Sequence, residues 1–266
     1  MDIQAIAKEI RKDVIRMTYA AGAQGAHIGG SLSMCEIMAV LYHEVMHIDA
    51  SDPLNDDRDR FILSKGHGAI AMFAALKSIG LITDEELMSY KHDGSIITAH
   101  PTYMPEKGME FASGSLGQGL SIGAGVAMAL KMKNKSPQVY VLVGDGECDE
   151  GSIWEAAASA AHLGLDNLVC IVDKNRLQYD GPTDEVMNMG SLKDKFIAFG
   201  WDAYDVDGHD CKALTDVFKT AHDKPLAVIC ETVKGKGVSF IEGNYRWHNA
   251  SLNEEQFNQA IAEQEA

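Results

Sequence analysis

VYVLVGDGECDEGSIWEAAASAAHLGLDNLVCIVDKN, residues 139–175, is the stretch on which the fold turns. Residues 139–143 and 168–172 are short apolar runs rich in β-branched side chains, the pattern of strands buried on both faces of a parallel sheet. Between them, residues 152–163 carry helical periodicity, so the stretch reads as a strand–helix–strand unit. In such a unit the carboxyl ends of neighbouring strands lie side by side, which brings Asp145 and Asn175 to one crevice.

A carboxylate and an amide oxygen suit a hard cation such as Mg²⁺, whose other positions go to water and phosphate oxygens. The acids Asp145, Glu147, Asp149 and Glu150 would repel a bare diphosphate by roughly 4 kcal/mol per close charge pair. A phosphate group held here therefore needs a metal ion. Two other readings stay open from the residues alone. One is an ordinary Gly-Asp-Gly turn after a strand. The other is a dinucleotide loop, against which stand the G-x-G-x-x-x-x-G spacing and an Asp where backbone must approach the pyrophosphate.

Composition sets outer bounds. With 266 residues, 46% apolar and 23% charged, the chain is ordinary for a globular α/β protein. Its net charge of −16 speaks against a nucleic-acid or anionic-membrane surface, both of which need a basic footprint. Cys35, Cys148, Cys170, Cys211 and Cys230 are scattered, odd in number and never paired as C-x-x-C, which fits buried thiols in a reducing cytoplasm. Ile3, Ile6, Ile10, Val14 and Met17 recur at helical spacing, so the start is an amphipathic helix rather than a signal peptide. No apolar run reaches membrane-spanning length.

The rest of the chain alternates helices with three further strand candidates, a short one leading into Gly66-His67-Gly68 and two at residues 201–206 and 226–233. The expected fold is a doubly wound parallel sheet with helices on both faces and ligands at the strand carboxyl ends. A glycine-rich loop, residues 22–30, carries His27; Ser33 with Glu36 then reads as a capping box starting a helix to about Met46. That helix ends in His43-Glu44-Val45-Met46-His47, which fits the H-E-x-x-H zinc pattern but offers no evident third ligand. Residues 58–68, RDRFILSKGHG, place His67 at the start of a helix, where free N–H groups welcome an anion. Thr98-Ala99-His100-Pro101 leads to the loop Gly114-Ser115-Leu116-Gly117-Gln118-Gly119 and a helix of small residues suited to close packing. Beyond Asp207-Gly208-His209-Asp210, where His209 reads as structural, lies the most basic patch: Lys234, Lys236, Arg246 and His248.

This ordered set, covering nearly the whole chain, resembles the N-terminal, diphosphate-binding portion of transketolases. The resemblance implies thiamine diphosphate with Mg²⁺, or Ca²⁺ or Mn²⁺ in its place, held by Asp145, Asn175 and the Leu177 carbonyl. It places Gly144, Gly146, Gly114, Ser115, Leu116, Lys236, His67, His100 and His248 around the cofactor, with Glu150 in a carboxylate link across a dimer. His27, His67, His100 and His248 are the implied catalytic residues, and the implied reaction is two-carbon ketol transfer between sugars or sugar phosphates. Ser115 stands where full-length enzymes usually carry Pro, and Asn249 where Gly often follows the His. Residues 1–266 read as a single diphosphate-side domain, without the pyrimidine-binding domain whose Glu activates the cofactor. The expectation is a cytoplasmic split enzyme, an α₂β₂ assembly with a C-terminal partner supplying that Glu. A component of a keto-acid dehydrogenase or deoxyxylulose phosphate synthase, or a non-catalytic regulatory chain, is the alternative.

Overall fold

The computed structural model describes residues 2–265. Five strands form one all-parallel sheet: β1 (Arg60–Leu63), β2 (Val139–Gly144), β3 (Leu168–Lys174), β4 (Asp202–Asp207) and β5 (Leu226–Glu231), in the spatial order β1-β2-β3-β5-β4. The expected doubly wound architecture is what the chain adopts.

The apolar runs work because a strand presents alternate residues to opposite faces. Tyr140, Leu142, Val169, Ile171, Val228 and Cys230 join one core. Val141, Val143, Cys170, Val172, Ala227 and Ile229 join the other. Over the first core lie α1 (Ile3–Ala20), α3 (Cys35–Val40), α4 (Ala69–Ser78) and α10 (Cys211–Phe218). Over the second lie α6 (Gly119–Met132), α7 (Gly151–His162) and α9 (Leu192–Ala198). Each fully buried Val, Leu or Ile contributes about 1.5–3 kcal/mol. A charge at Val141, which is wholly buried, would break the second core.

The small residues of α6 serve close packing, though not uniformly. A Cβ on Gly123 would stand 2.3 Å from Val141 Cγ2, whereas one on Gly125 would meet nothing. Helix starts obey local rules at Ser191 and Asp210, which cap α9 and α10, and at Thr83 with Glu86, a full capping box for α5 (Asp84–Met88). All five cysteines are free thiols, four of them buried. Among the described residues, no helix is long and apolar enough to cross a membrane.

Three expectations need correction. The glycine-rich loop is partly helical, since Gly29 and Gly30 lie in α2 (Ile28–Leu32). Ser33 ends that helix instead of capping a long one. Its hydroxyl reaches Gly30 O (3.1 Å) and Asp173 Oδ2 (2.6 Å), while Glu36 pairs with Arg11 and His209. Both side chains are buried, and tertiary partners win over the local cap. The H-E-x-x-H segment is a π-helical turn, Leu41–Val45, followed by extended backbone. His47 lies beyond it beside Asp59 and is exposed, while His43 Nε2 meets Ser78 Oγ at 2.8 Å. The two imidazoles have separate partners. No three His, Cys, Asp or Glu side chains among the described residues form a metal cage.

Candidate active site

Four strands end at one edge in buried polar residues. The register sets Gly144 beside Asp173 and Asp173 beside Cys230, so the residues that follow β2, β3 and β5 crowd together. Asp173 is fully buried and gathers Lys65 from beyond β1, Thr232 from beyond β5, Ser33 (2.6 Å) and the Asn175 amide nitrogen (3.0 Å). Burial alone would raise its pKa. The Lys65 charge and these donors outweigh that and hold it below the ordinary carboxylate range.

With its nitrogen turned to Asp173, Asn175 keeps its oxygen for the other side, where Leu177 N approaches at 3.2 Å. Asp145 Oδ1 accepts from Gly146 N (2.9 Å) and Oδ2 from Arg176 N (2.6 Å). Arg176 reaches that position at φ +64°, a left-handed conformation that disfavours an L side chain by about 1–2 kcal/mol. Burial, then the neighbouring Asp173, pushes the Asp145 carboxyl up to about 6. Glu147 is buried as well; it accepts from Ser64 Oγ (2.5 Å), Gly117 N (2.7 Å) and Gly144 N (3.0 Å). It ties the Gly-Asp-Gly turn to the glycine loop before α6. A side chain at Gly117, at φ +81°, would press within 2.5 Å of Ser152 Oγ.

Opposite these acids stand four imidazoles. His27 lies 5.6 Å from His67, 5.7 Å from His100 and 5.3 Å from His248 between ring centroids, and His67 lies 5.1 Å from His248. Burial first, then neighbouring imidazoles and lysines, lowers His27 to about 4 and His248 to about 3, and lowers His67 and His100 as well. The cluster is neutral near pH 7, able to donate and accept. Lys234 Nζ approaches Leu177 O at 2.8 Å and His248 Nδ1 at 3.1 Å. An ammonium can only donate, so Nδ1 of His248 carries no hydrogen and Nε2 does.

A cavity of about 160 Å³ joins the two sides. His67, Leu116, Gly144, Asp145, Gly146, Asn175, Leu177 and His248 line it, all of them expected from the sequence. His27 and His100 adjoin through their rings, and Gly114 lies against His100. Ser115 is exposed on the same loop. Glu150, also exposed, precedes α7 with its side chain against Gly117 and is not among the residues lining the cavity. Lys236 points elsewhere, with Glu242 at 3.8 Å. Lys65, Lys234 and Tyr179 also line the cavity; of these only Lys234 stands out in the sequence, as part of the basic patch and not as a cofactor residue. The signal for Lys234 is its position three residues past the β5 end. A larger cleft, about 570 Å³, opens at the opposite sheet edge, but its lysines are already paired, Lys131 with Asp166 and Lys135 with Asp57, and its one imidazole, His222, is engaged by the Lys224 carbonyl.

The donor set fits a hard cation with a phosphate group. One carboxylate, one amide oxygen and one carbonyl leave room for phosphate and water oxygens, and the raised Asp145 lacks a full counter-charge. His27 Nδ1 is buried without a partner, as expected of an atom reserved for a bound polar group.

Residues 3–264 match the family described as "Transketolase, thiamine diphosphate binding domain". The chain is 41% identical to a subunit of the apulose-4-phosphate transketolase of Phocaeicola vulgatus, over 95% of this chain and 90% of that one. It is 40% identical over its full length to the SqwG subunit of a 6-deoxy-6-sulfo-D-fructose transketolase from a Clostridium species, 97% of which is covered. Human transketolase is 39% identical over 97% of this chain, which spans only 41% of the human protein. The solved transketolase of Leishmania mexicana superposes with a TM-score of 0.90 at 29% identity, over 100% of this chain and 41% of that one.

Proposed function

We propose that this chain, which belongs to the transketolase family through its thiamine diphosphate binding domain, is one half of a two-chain transketolase and is active only with its partner. One observation carries the reading: a single cavity with a cation-type donor set on one side and neutral imidazoles on the other. Thiamine diphosphate, when bound, supplies the carbon nucleophile and the electron sink for breaking a carbon–carbon bond.

The chain's own residues do the rest. Asp145, Asn175 and the Leu177 carbonyl would hold Mg²⁺, which neutralises the diphosphate against the acidic turn. Lys234 stands beside the Leu177 carbonyl, and Lys65 bears on Asp145 from the buried side. His248 presents its Nε2–H, and His67 and His100, kept neutral by burial, can accept or return a proton on substrate hydroxyls. His27 offers its unpartnered Nδ1 to the sugar. Packing of the strand ends excludes bulk water and strengthens each of these contacts.

Residues 1–266 form the diphosphate-side unit in this reading, and a second chain brings the activating Glu in an α₂β₂ assembly. Relatives whose names describe them as transketolase subunits support the division, because this chain covers nine-tenths or more of their length. Their names concern a sugar phosphate and a sulfonated sugar, so the substrate belongs to the anionic ketoses. The test is co-expression with a candidate C-terminal partner, assayed for ketol transfer with thiamine diphosphate and Mg²⁺. Activity should need both chains and the cofactor. Transfer that persists without thiamine diphosphate, or no transfer from any reconstituted pair, would sink the reading.

A further inference from the structure

The Asp-Gly-His-Asp motif after β4 has no part in the chemistry above, yet His209 sits in a defined hydrogen-bond circuit. Val233 N donates to His209 Nε2 at 2.9 Å, so that nitrogen carries no hydrogen. The hydrogen is therefore on Nδ1, which donates to Glu36 Oε2 at 3.0 Å. The other oxygen of Glu36 holds Arg11, and Arg11 Nε donates to Lys236 O at 3.0 Å. Side-chain exposures of 7%, 2% and 15% for Arg11, Glu36 and His209 keep the inner links out of bulk water, where competition from solvent would loosen them, while the Val233 end is open to solvent. Its two ends grip residues 233 and 236 on either side of Lys234. Lys234 in turn decides which nitrogen of His248 is bare.

We infer that His209, Glu36 and Arg11 form a brace whose task is to position Lys234, and through it to fix the Nε2–H tautomer of His248. These are positioning residues: none of them lines the cavity. The motif that reads as a strand-end ornament in the sequence acts on an imidazole in another loop. Only the importance of His248 for catalysis rests on the functional reading above; its tautomer is a property of the chain itself.

The experiment is ¹⁵N NMR of the histidine rings in the full chain at pH 6.5, with His248 identified from a His248→Gln variant. The wild type should show one tautomer, with hydrogen on Nε2. His209→Phe keeps a ring but loses both hydrogen bonds, and the His248 nitrogens should move toward an average of the two tautomers. Lys234→Met should produce the same movement. His209→Gln, which again offers Val233 N an acceptor, should restore at least half of the wild-type signal. Binding of thiamine diphosphate with Mg²⁺, measured in parallel on the chain with its partner, should weaken about tenfold in His209→Phe, the worth of one well-placed hydrogen bond. If the phenylalanine variant does not fold, His209→Asn, which keeps a donor for Glu36 but falls short of Val233, carries the same prediction. An unchanged His248 signal in folded His209→Phe or, where that does not fold, in His209→Asn overturns the brace, as does a mixed tautomer in the wild type or failure of the glutamine to restore it. A wild-type chain with the expected tautomer but no affinity for thiamine diphosphate would instead overturn the functional reading and leave the brace standing.

Discussion

The acid wall and the imidazole wall of the cavity are shifted by the same force toward opposite needs. Burial drives both to the uncharged form, raising Asp145 to about 6 and lowering His27 and His248 to about 4 and 3. Neutrality suits an imidazole, which can then donate from one nitrogen and accept at the other. It does not suit a carboxylate, which binds metal only when ionised. The acid wall is therefore a place for a cation, and the imidazole wall works without one. They also differ in construction. Asp145 is fixed by backbone donors from its own turn and the next strand end, whereas the four imidazoles come from four separate stretches.

If that contrast is right, Asp145→Ala should have the largest effect. Removing a metal ligand is expected to lower ketol transfer in the reconstituted enzyme about a thousandfold, with metal-dependent cofactor binding lost in calorimetry. A variant that still binds cofactor normally would break the division between the walls. On the other side, His100→Gln should reduce kcat by about a hundredfold with cofactor affinity nearly kept, since proton transfer is typically worth that much or more. Equal losses in kcat and affinity would mean that the imidazole wall is also a binding wall.

A smaller effect concerns pH. His27 is depressed from 6.5 to about 4, so between those values the folded chain binds fewer protons than the unfolded one. The stability tied to this ring is full above pH 6.5 and is lost as pH falls toward 4 and below. Denaturant unfolding at pH 7.5 and pH 5 should show His27→Gln losing about 1 kcal/mol less than wild type, roughly half of what the shift is worth between those two pH values because the ring is partly exposed. The smallest effect is Lys236→Ala. With its ammonium outside the cavity, cofactor affinity should change less than about twofold. A large loss in titrations of this variant would return Lys236 to the site in place of Lys234.

These same residues mark where sequence reading succeeds and where it stops. The strands, the alternation with helices and the Asp145–Asn175 pairing are legible because strand periodicity and turn chemistry are local. His27, His67, His100 and His248 become visible only through a resemblance carried by whole motifs, since a lone loop histidine says nothing of its neighbours. Ser33 and Glu36 mislead because a capping box and a pair of buried tertiary ligands look alike over four residues. Lys234 is visible only as part of a basic patch and Lys65 only inside a longer motif, because nothing local says that the sheet register buries them. Lys234, and not Lys236, lines the cavity, a difference of two residues in a loop held by Arg11 and His209.

Asp173 has a consequence for how the chain is made. Its Lys65 partner lies 108 positions earlier and Thr232 lies 59 later, so the hub closes only after most of the polypeptide exists. Emerging from the ribosome, β1 to β3 would hold a buried acid with one donor still missing. The carboxyl edge should thus be the last part to consolidate, a slow non-local step after a fast collapse of the helices. Pulse-labelling hydrogen exchange during refolding offers a direct view, with amide protection at residues 172–175 expected to lag behind that of α1. Protection that appears there first would reverse the order.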